Sequence, residues 1–278
     1  MILYNNQLIE KADMHLSPDD RGYYFGDGIY EVIRVYEGRI FEKEAHLQRL
    51  ARSALGTKIR LPYTLNEIGE KLDMLLHAEQ ISEGIIYMQI TRGAAPRAHP
   101  FPLGVEPVLY AYCIEVKRPL KAIRHGITAV TIPDIRWLRC DLKTINLLPS
   151  VLAKQEAIDQ GADEAILHRD GTITECSASN LIIVHNDVLQ THPLNNFILH
   201  GITRAVVLKL AIQLELTVIE ASFTLETLFA ADEVFLTSTT AEVTPIISIN
   251  GQPIGDGKPG KITLQLQSAF EQKLNLLL

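Results

Sequence analysis

Strand and helix patterns come in runs along this chain rather than in alternation, and that ordering constrains the fold most. "ILYNNQLIE" reads as a hairpin turning at Asn5-Asn6, and "GIYEVIRVYEGRIF" as a second one turning at Glu37-Gly38. Their β-branched and aromatic residues suit a pleated, half-buried surface. Two helices follow. One runs near His46 to Leu55, with Leu47, Leu50 and Ala54 at helical spacing. The other follows Thr64, an N-cap with Glu67 three residues on, and carries Ile68, Leu72, Leu75 and Leu76 on one face. "GIIYMQITRG" and "EPVLYAYCIEV" return to strand. A Rossmann or barrel architecture needs strict alternation, so this order predicts α+β domains.

"KRPLKAIRHG", residues 117 to 126, carries a proline and ends in glycine, and reads as the linker between two domains, 1–118 and 119–278. Beyond it the pattern predicts a strand over 127–132 and a helix over about 149–160 that stops at Gly161. Turns at Asp170-Gly171 and Asn186-Asp187 then mark a three-strand meander. A helix from Ile202, a strand near Val218, a short helix, "EVFLTSTTAEVTPIISI" and a final helix complete the chain.

At 278 residues the chain is long enough for two modest domains or one large one, with a sizeable core. Its net charge of −7 and the absence of basic runs give no footprint for nucleic acid. The three cysteines, Cys113, Cys140 and Cys176, form neither a disulfide framework nor a zinc motif, and a reducing cytoplasm is expected. No apolar segment approaches the ~20 residues of a membrane span, and the N-terminus lacks a signal-peptide pattern.

The chemistry-bearing residues are scattered. Lys143 sits in "DIRWLRCDLKTINLLPSVLAKQEA", ahead of Ile145, Leu147, Leu148, Val151 and Leu152 and just after Arg136 and Arg139. Lysines are mostly surface residues. An apolar flank and nearby cations would instead disfavour the ammonium form and leave a nucleophilic amine. Glu175 follows a strand among small residues, Ser177, Ala178 and Ser179, where a carboxylate could face a protonated ring nitrogen or simply solvent. Gly201, Ile202 and Thr203 open an amphipathic helix whose free N–H groups suit an anion, although Thr203 also reads as a plain N-cap. Ser238, Thr239 and Thr240 end a strand as phosphate donors or as a polar turn. Arg49 offers a planar fork on a helix. Arg97 and His99, at i and i+2 in a proline-rich loop, point the same way if the loop is extended and could grip one carboxylate. Metal chemistry is not supported, since His99 has no partners at ligand spacing. GxSxG, GxGxxG, HExxH and P-loop patterns are absent. A reactive lysine, a ring-facing carboxylate, a phosphate-type helix start and arginine anchors together are the parts of a pyridoxal phosphate enzyme.

"DRGYYFGDGIYEVIRVYEG", "TRGAAPRAHPFP", "IRWLRCDLKTINLLPSVLAKQEA", "EAILHRDGTITECSASN", "HGITR" and "TSTTAEVTP", in that order from Asp20 to Pro245, resemble the class IV (fold type IV) aminotransferases. The resemblance implies a two-domain α+β fold with pyridoxal 5'-phosphate as cofactor. It implies Lys143 as the Schiff-base and proton-shuttle residue and Glu175 as the partner of the pyridine nitrogen. Arg49, Ile202, Thr203 and Thr239 would hold the phosphate, with Gly201, Ser238, Thr240 and Ser179 close by. Tyr30, Arg97 and His99 would trap the substrate carboxylate, the last two from the second subunit of a homodimer. Within the family, Arg97-Ala98-His99 and "GIYEVIRV" point to transamination between a D-amino acid such as D-alanine and a 2-oxo acid such as 2-oxoglutarate. 4-Amino-4-deoxychorismate lyase or an L-branched-chain aminotransferase on the same fold, and a non-catalytic pyridoxal phosphate binder, are the alternatives. No nucleic-acid or membrane partner is expected.

Overall fold

The computed structural model describes residues 1–275, which pack as two units. The first comprises Met1–Lys117 together with Leu142–Asn146; the second comprises Arg118–Asp141 and the chain from Leu147 onward. The division of the chain at 118/119 read from sequence thus leaves out one short return, the five residues around Lys143.

In the first unit, β1 (Ile2–Tyr4) and β2 (Gln7–Ile9) form the N-terminal hairpin, and α1 (Arg21–Phe25) leads into β3 (Gly28–Tyr36) and β4 (Arg39–Ile40). Asn5, Glu37 and Gly38 take the positive φ angles that tight hairpin turns need. α2 (Lys43–Thr57) and α3 (Leu65–Glu79) follow, and β5 (Gly84–Thr91) and β6 (Val108–Glu115) complete an antiparallel sheet of order β2-β1-β6-β5-β3-β4. α3 opens with the expected capping box, Thr64 accepting from Glu67 N while Glu67 reaches back to Thr64 N. The core gathers alternate strand residues, Ile29, Ile33, Ile86, Met88 and Ile90, with Leu47, Leu50, Ile68, Leu72 and Leu75 from the helices. The opposite side-chain set of the same strands contains Tyr30, Val32, Tyr87, Gln89, Tyr110 and Tyr112, whose tyrosine rings cluster.

The return at 142–146 has a plain cause. β4 pairs only with Val35 and Tyr36, so the start of β3 is an open sheet edge. Lys143–Ile145 takes up its backbone groups: Tyr30 N donates to Lys143 O at 3.0 Å and Ile145 N to Gly28 O at 3.1 Å.

The second unit begins with α4 (Leu120–His125) and β7 (Ile127–Pro133), followed by α5 (Leu148–Asp159). Next come β8 (Glu164–Arg169), β9 (Thr172–Cys176), β10 (Asn180–His185), β11 (Val188–Thr191), α6 (Ile202–Gln213), β12 (Thr217–Glu220) and α7 (Leu225–Phe229). β13 (Glu233–Ser238), β14 (Glu242–Ile249), β15 (Gln252–Pro253) and α8 (Lys261–Asn275) close it. The sheet has nine strands in the order β12-β11-β10-β13-β14-β7-β8-β9, with β15 on β14. β7 pairs in parallel with β8 and β14, and β11 with β12, so the sheet is mixed.

Two expectations change. The meander is instead two hairpins, β8-β9 and β10-β11, separated in the sheet by β7, β14 and β13. The residues between β9 and β10 break the ladder, and β10 pairs with β13. The supposed linker carries α4 and is tied down: Arg118 donates to both oxygens of Glu242, at 2.7 and 2.6 Å, and also to Glu271.

Candidate active site

In the first unit the polar groups lie on one stripe of α2. His46, Arg49 and Ser53 follow the helical repeat and are all buried. Opposite them on β3 is Glu31, which has no exposed surface. Arg49 grips it with a fork, Nε to Oε1 at 2.8 Å and Nη2 to Oε2 at 2.7 Å, and His46 Nδ1 lies 2.8 Å from Oε2. Burial alone would raise the Glu31 carboxyl, but the charge and hydrogen bonds of Arg49, with His46, pull it down to about 2. Burial lowers His46, and the Arg49 and Lys143 charges add to that against the pull of Glu31. The imidazole is therefore neutral, with Nδ1–H assigned as the donor to the carboxylate.

Ser53, one turn along, links this stripe to Lys143 by accepting from its backbone N–H at 3.0 Å. Lys143 Nζ lies over the Tyr30 ring, 4.0 Å from its centroid, and Tyr30 stacks on Tyr87. Gly28 permits this approach, since a Cβ there would come within 2.9 Å of Ile145 and 3.1 Å of Ile90 O. Arg97 and His99 both gather on Phe25, with centroid distances of 5.1 and 5.5 Å. Arg21 secures their loop by donating to Ala98 O at 2.6 Å. Both side chains are exposed in this chain.

In the second unit Glu175, near the end of β9, is 4% exposed. Its carboxylate accepts from Arg136 Nη1 at 2.6 Å, Asn180 Nδ2 at 2.8 Å and Leu199 N at 3.1 Å. Most of Arg136 is committed to Asp134: Nε and Nη2 each donate at 2.9 Å, and its backbone N–H adds a third bond at 3.0 Å. Asp134 lies below the usual carboxylate range because Arg136 and Arg169 outweigh its burial. Glu175 lies above its ordinary value, because burial outweighs the single arm of Arg136.

Asn180 joins this carboxylate to the start of α6. Its Oδ1 would lie 2.0 Å from a Cβ on Gly201, so only glycine fits there. Gly201 is the N-cap and has no side-chain capping bond, while Thr203 is buried inside the first turn. The N-cap reading of Thr203 is thus replaced by Gly201, and the first N–H groups of a twelve-residue helix are left for an anion. Two buried hydroxyls without protein partners, Ser179 Oγ and Thr237 Oγ1, belong to the same region, Thr237 standing opposite Asn180 in the β10-β13 register. Ser238 Oγ accepts from Ala241 N at 3.0 Å and shapes the turn that presents Thr239 and Thr240. Helix-start amides, spare hydroxyls and a buried carboxylate held by one arm of a shared arginine suit a ligand bearing a phosphate at one end and a protonated ring nitrogen at the other.

The two arginines close to Lys143 in sequence are both engaged by carboxylates. Arg136 is matched by Asp134 and Glu175, and Arg139 by Asp141 through two bonds of 2.9 Å. The apolar residues that follow in sequence are themselves exposed: Leu148, Val151 and Leu152 by 68%, 57% and 52%. Among the described residues no group of three His, Cys, Asp or Glu could hold a metal ion, and no helix is long and apolar enough to cross a membrane.

The family model for amino-transferase class IV matches residues 28–249. D-alanine aminotransferase of Staphylococcus aureus (strain MSSA476) is 47% identical over 272 residues, covering 98% of this chain and 96% of that one. The chain belongs to the class IV aminotransferases. D-alanine aminotransferase of Bacillus licheniformis is 44% identical over the same share of each chain. Branched-chain amino acid aminotransferase from Escherichia coli superposes with a TM-score of 0.89 at 28% identity, covering 97% of this chain and 92% of that one. A putative 4-amino-4-deoxychorismate lyase from Legionella pneumophila gives 0.85 at 26%, covering 94% and 96%. Sequence reasoning about this class IV aminotransferase passed over Glu31, His46, Asp134, Asn180 and Thr237. Glu31 alone left a trace, as a charged residue in register with the apolar face of Ile29, Ile33 and Val35.

Proposed function

We propose that this aminotransferase exchanges the amino group of a D-amino acid such as D-alanine with a 2-oxo acid such as 2-oxoglutarate, with pyridoxal 5'-phosphate as cofactor. The observation that carries the reading is the 44–47% identity to D-alanine aminotransferases over nearly the whole chain. Likeness to the branched-chain enzymes and the lyase stands at 26–28%.

The bound cofactor supplies an aldehyde to capture the substrate amine and an electron-withdrawing ring. Lys143 would be the residue that anchors the cofactor, and its amine would move the proton at the substrate Cα. Glu175 accepts the hydrogen bond of the ring nitrogen and holds that nitrogen in its protonated form. The Gly201, Ile202 and Thr203 end of α6, with Thr239, Thr240 and Arg49, holds the phosphate. Ser179 and Ser238 support the same cradle. Glu31 fixes the plane of the Arg49 guanidinium, and Ser53 fixes the backbone of Lys143. Tyr30, Arg97 and His99 hold the substrate carboxylate.

The working form is a homodimer in the cytoplasm. Arg97 and His99 are exposed and gathered on Phe25, which suits service to a partner subunit. Ile135, Trp137, Leu138, Leu148, Val151 and Leu152 supply exposed apolar surface on the second unit for burial between subunits.

Purified protein supplied with D-alanine, 2-oxoglutarate and pyridoxal phosphate should release pyruvate and D-glutamate. Absence of pyruvate together with cleavage of aminodeoxychorismate would assign the lyase activity instead. Turnover of L-leucine and not D-alanine would assign the branched-chain one.

A further inference from the structure

Arg136 was a candidate neighbour for Lys143 in the sequence, but its hydrogen bonds serve Glu175. Its guanidinium is planar and presents five donors in a fixed fork. Nε and Nη2 are spent on Asp134, at 2.9 Å each, and Nη2 also reaches Phe197 O at 3.2 Å. That leaves Nη1 aimed at Glu175 Oε1, the shortest contact in the cluster at 2.6 Å. Asp134 has no exposed side-chain surface, and further donors surround it: Thr174 Oγ1 at 3.0 Å and Arg169 Nε at 3.2 Å. The result is a row of alternating charge, Arg169, Asp134, Arg136 and Glu175, anchored at the ends of β7 and β8 and on β9.

We propose that Asp134 and Arg136 are positioning residues for Glu175: Asp134 holds the guanidinium, and the guanidinium holds Glu175 as the anion that keeps a proton on the cofactor's ring nitrogen. The inference rests on the pyridoxal phosphate reading above. Asn180 and the Leu199 amide also donate to Glu175 but bring no charge. The other titratable groups at this cluster are Cys140, beside Arg136, and Cys176, next in sequence; burial pushes both thiols upward, so neither supplies charge near neutrality. Arg136 is thus the cation that opposes the burial of Glu175. Without it the proton shared with the ring nitrogen moves to the carboxyl: the N–H bond breaks, the O–H bond forms, and a salt bridge becomes a neutral pair. Because Asp134 already offsets part of the Arg136 charge, Glu175 stays basic enough to hold the ring nitrogen as its partner.

The test uses holoenzyme loaded with pyridoxal phosphate isotope-labelled at the ring nitrogen, read by nuclear magnetic resonance, with dissociation constants from dialysis. In Arg136→Met the ring-nitrogen signal should move to the unprotonated position at neutral pH, and the cofactor should bind roughly tenfold more weakly. Arg136→Lys, which keeps charge but cannot serve Asp134 and Glu175 together, should keep the nitrogen protonated and still bind several-fold more weakly. A wild-type ring-nitrogen signal in Arg136→Met overturns the proposal. If that variant does not fold, a wild-type dissociation constant in Arg136→Lys overturns it. Wild-type protein that takes up no pyridoxal phosphate overturns the functional reading and this one with it, whereas normal wild-type uptake isolates the failure to Arg136.

Discussion

Glu31 in the first unit and Glu175 in the second are both buried, and each accepts a hydrogen bond from an arginine. Glu31 receives a two-pronged fork and an imidazole, and its carboxyl is pulled down to about 2. Glu175 receives one arm of a guanidinium whose other contacts belong to Asp134, and its carboxyl is raised. The same pair of residue types therefore gives a carboxylate gripped by a full fork in one place and one held by a single arm in the other. A buried carboxylate short of positive charge is costly by itself. It becomes favourable when a cationic ring nitrogen is supplied, which is the use proposed for Glu175.

The largest expected effect lies outside both carboxylates and shows whether they are subsidiary. Lys143→Ala should lower transamination by on the order of 10³-fold or more, through loss of the nucleophile and the proton carrier. Near-normal turnover in that variant would remove Lys143 from the chemistry. Next, Glu31→Gln removes the buried charge that the Arg49 fork grips and should cost about 3–5 kcal/mol of folding stability in denaturant titration. Glu175→Gln should cost the cofactor-free protein clearly less, while its turnover falls on the order of 10²-fold. Equal stability losses for the two would erase the contrast.

pH sharpens it further. The ordinary glutamate value is 4.5, and Glu31 lies near 2 when folded. Its contribution, about 3 kcal/mol, is therefore complete above 4.5 and is lost as pH falls through about 2. Glu175 has the opposite sign: its favourable protonated form is complete below the ordinary value and is lost as pH rises through the raised one. Stability curves of the cofactor-free protein should thus lose their acid limb in Glu31→Gln and their upper-side decline in Glu175→Gln. The smallest effect is at the surface, where Arg139 pairs with Asp141 at 48% side-chain exposure. Arg139→Ala should change stability by less than about 1 kcal/mol and leave cofactor uptake unaltered.

What could be read from sequence follows the range of the forces involved. The capping box at Thr64, the turns at Asn5-Asn6 and Glu37-Gly38, and the α6 stripe are local patterns of a few residues, and each appears in the structure where the pattern lies. The separation of β9 from β10 and the return of 142–146 to the β3 edge depend on which strand edges remain unpaired after long-range packing. No local window contains that information. The arginines are the clearest case. Arg136 and Arg139 lie close to Lys143 in sequence, yet the partners that decide their roles include residue 175, far along the chain. The family, by contrast, was legible because six short motifs recur in order, each too weak to read alone.

The central claim is that Glu175 lacks sufficient countercharge until a cationic ligand arrives, while Glu31 does not. Protein labelled at the glutamate side-chain carboxyl carbons, assigned with Glu31→Gln and Glu175→Gln, can be titrated by nuclear magnetic resonance with and without pyridoxal phosphate. The account predicts that Glu175 titrates above the ordinary carboxylate range in the free protein and becomes ionised throughout the neutral range on loading, while Glu31 stays ionised in both. A Glu175 signal already ionised at and below the ordinary range without cofactor, and unmoved by its addition, would contradict it.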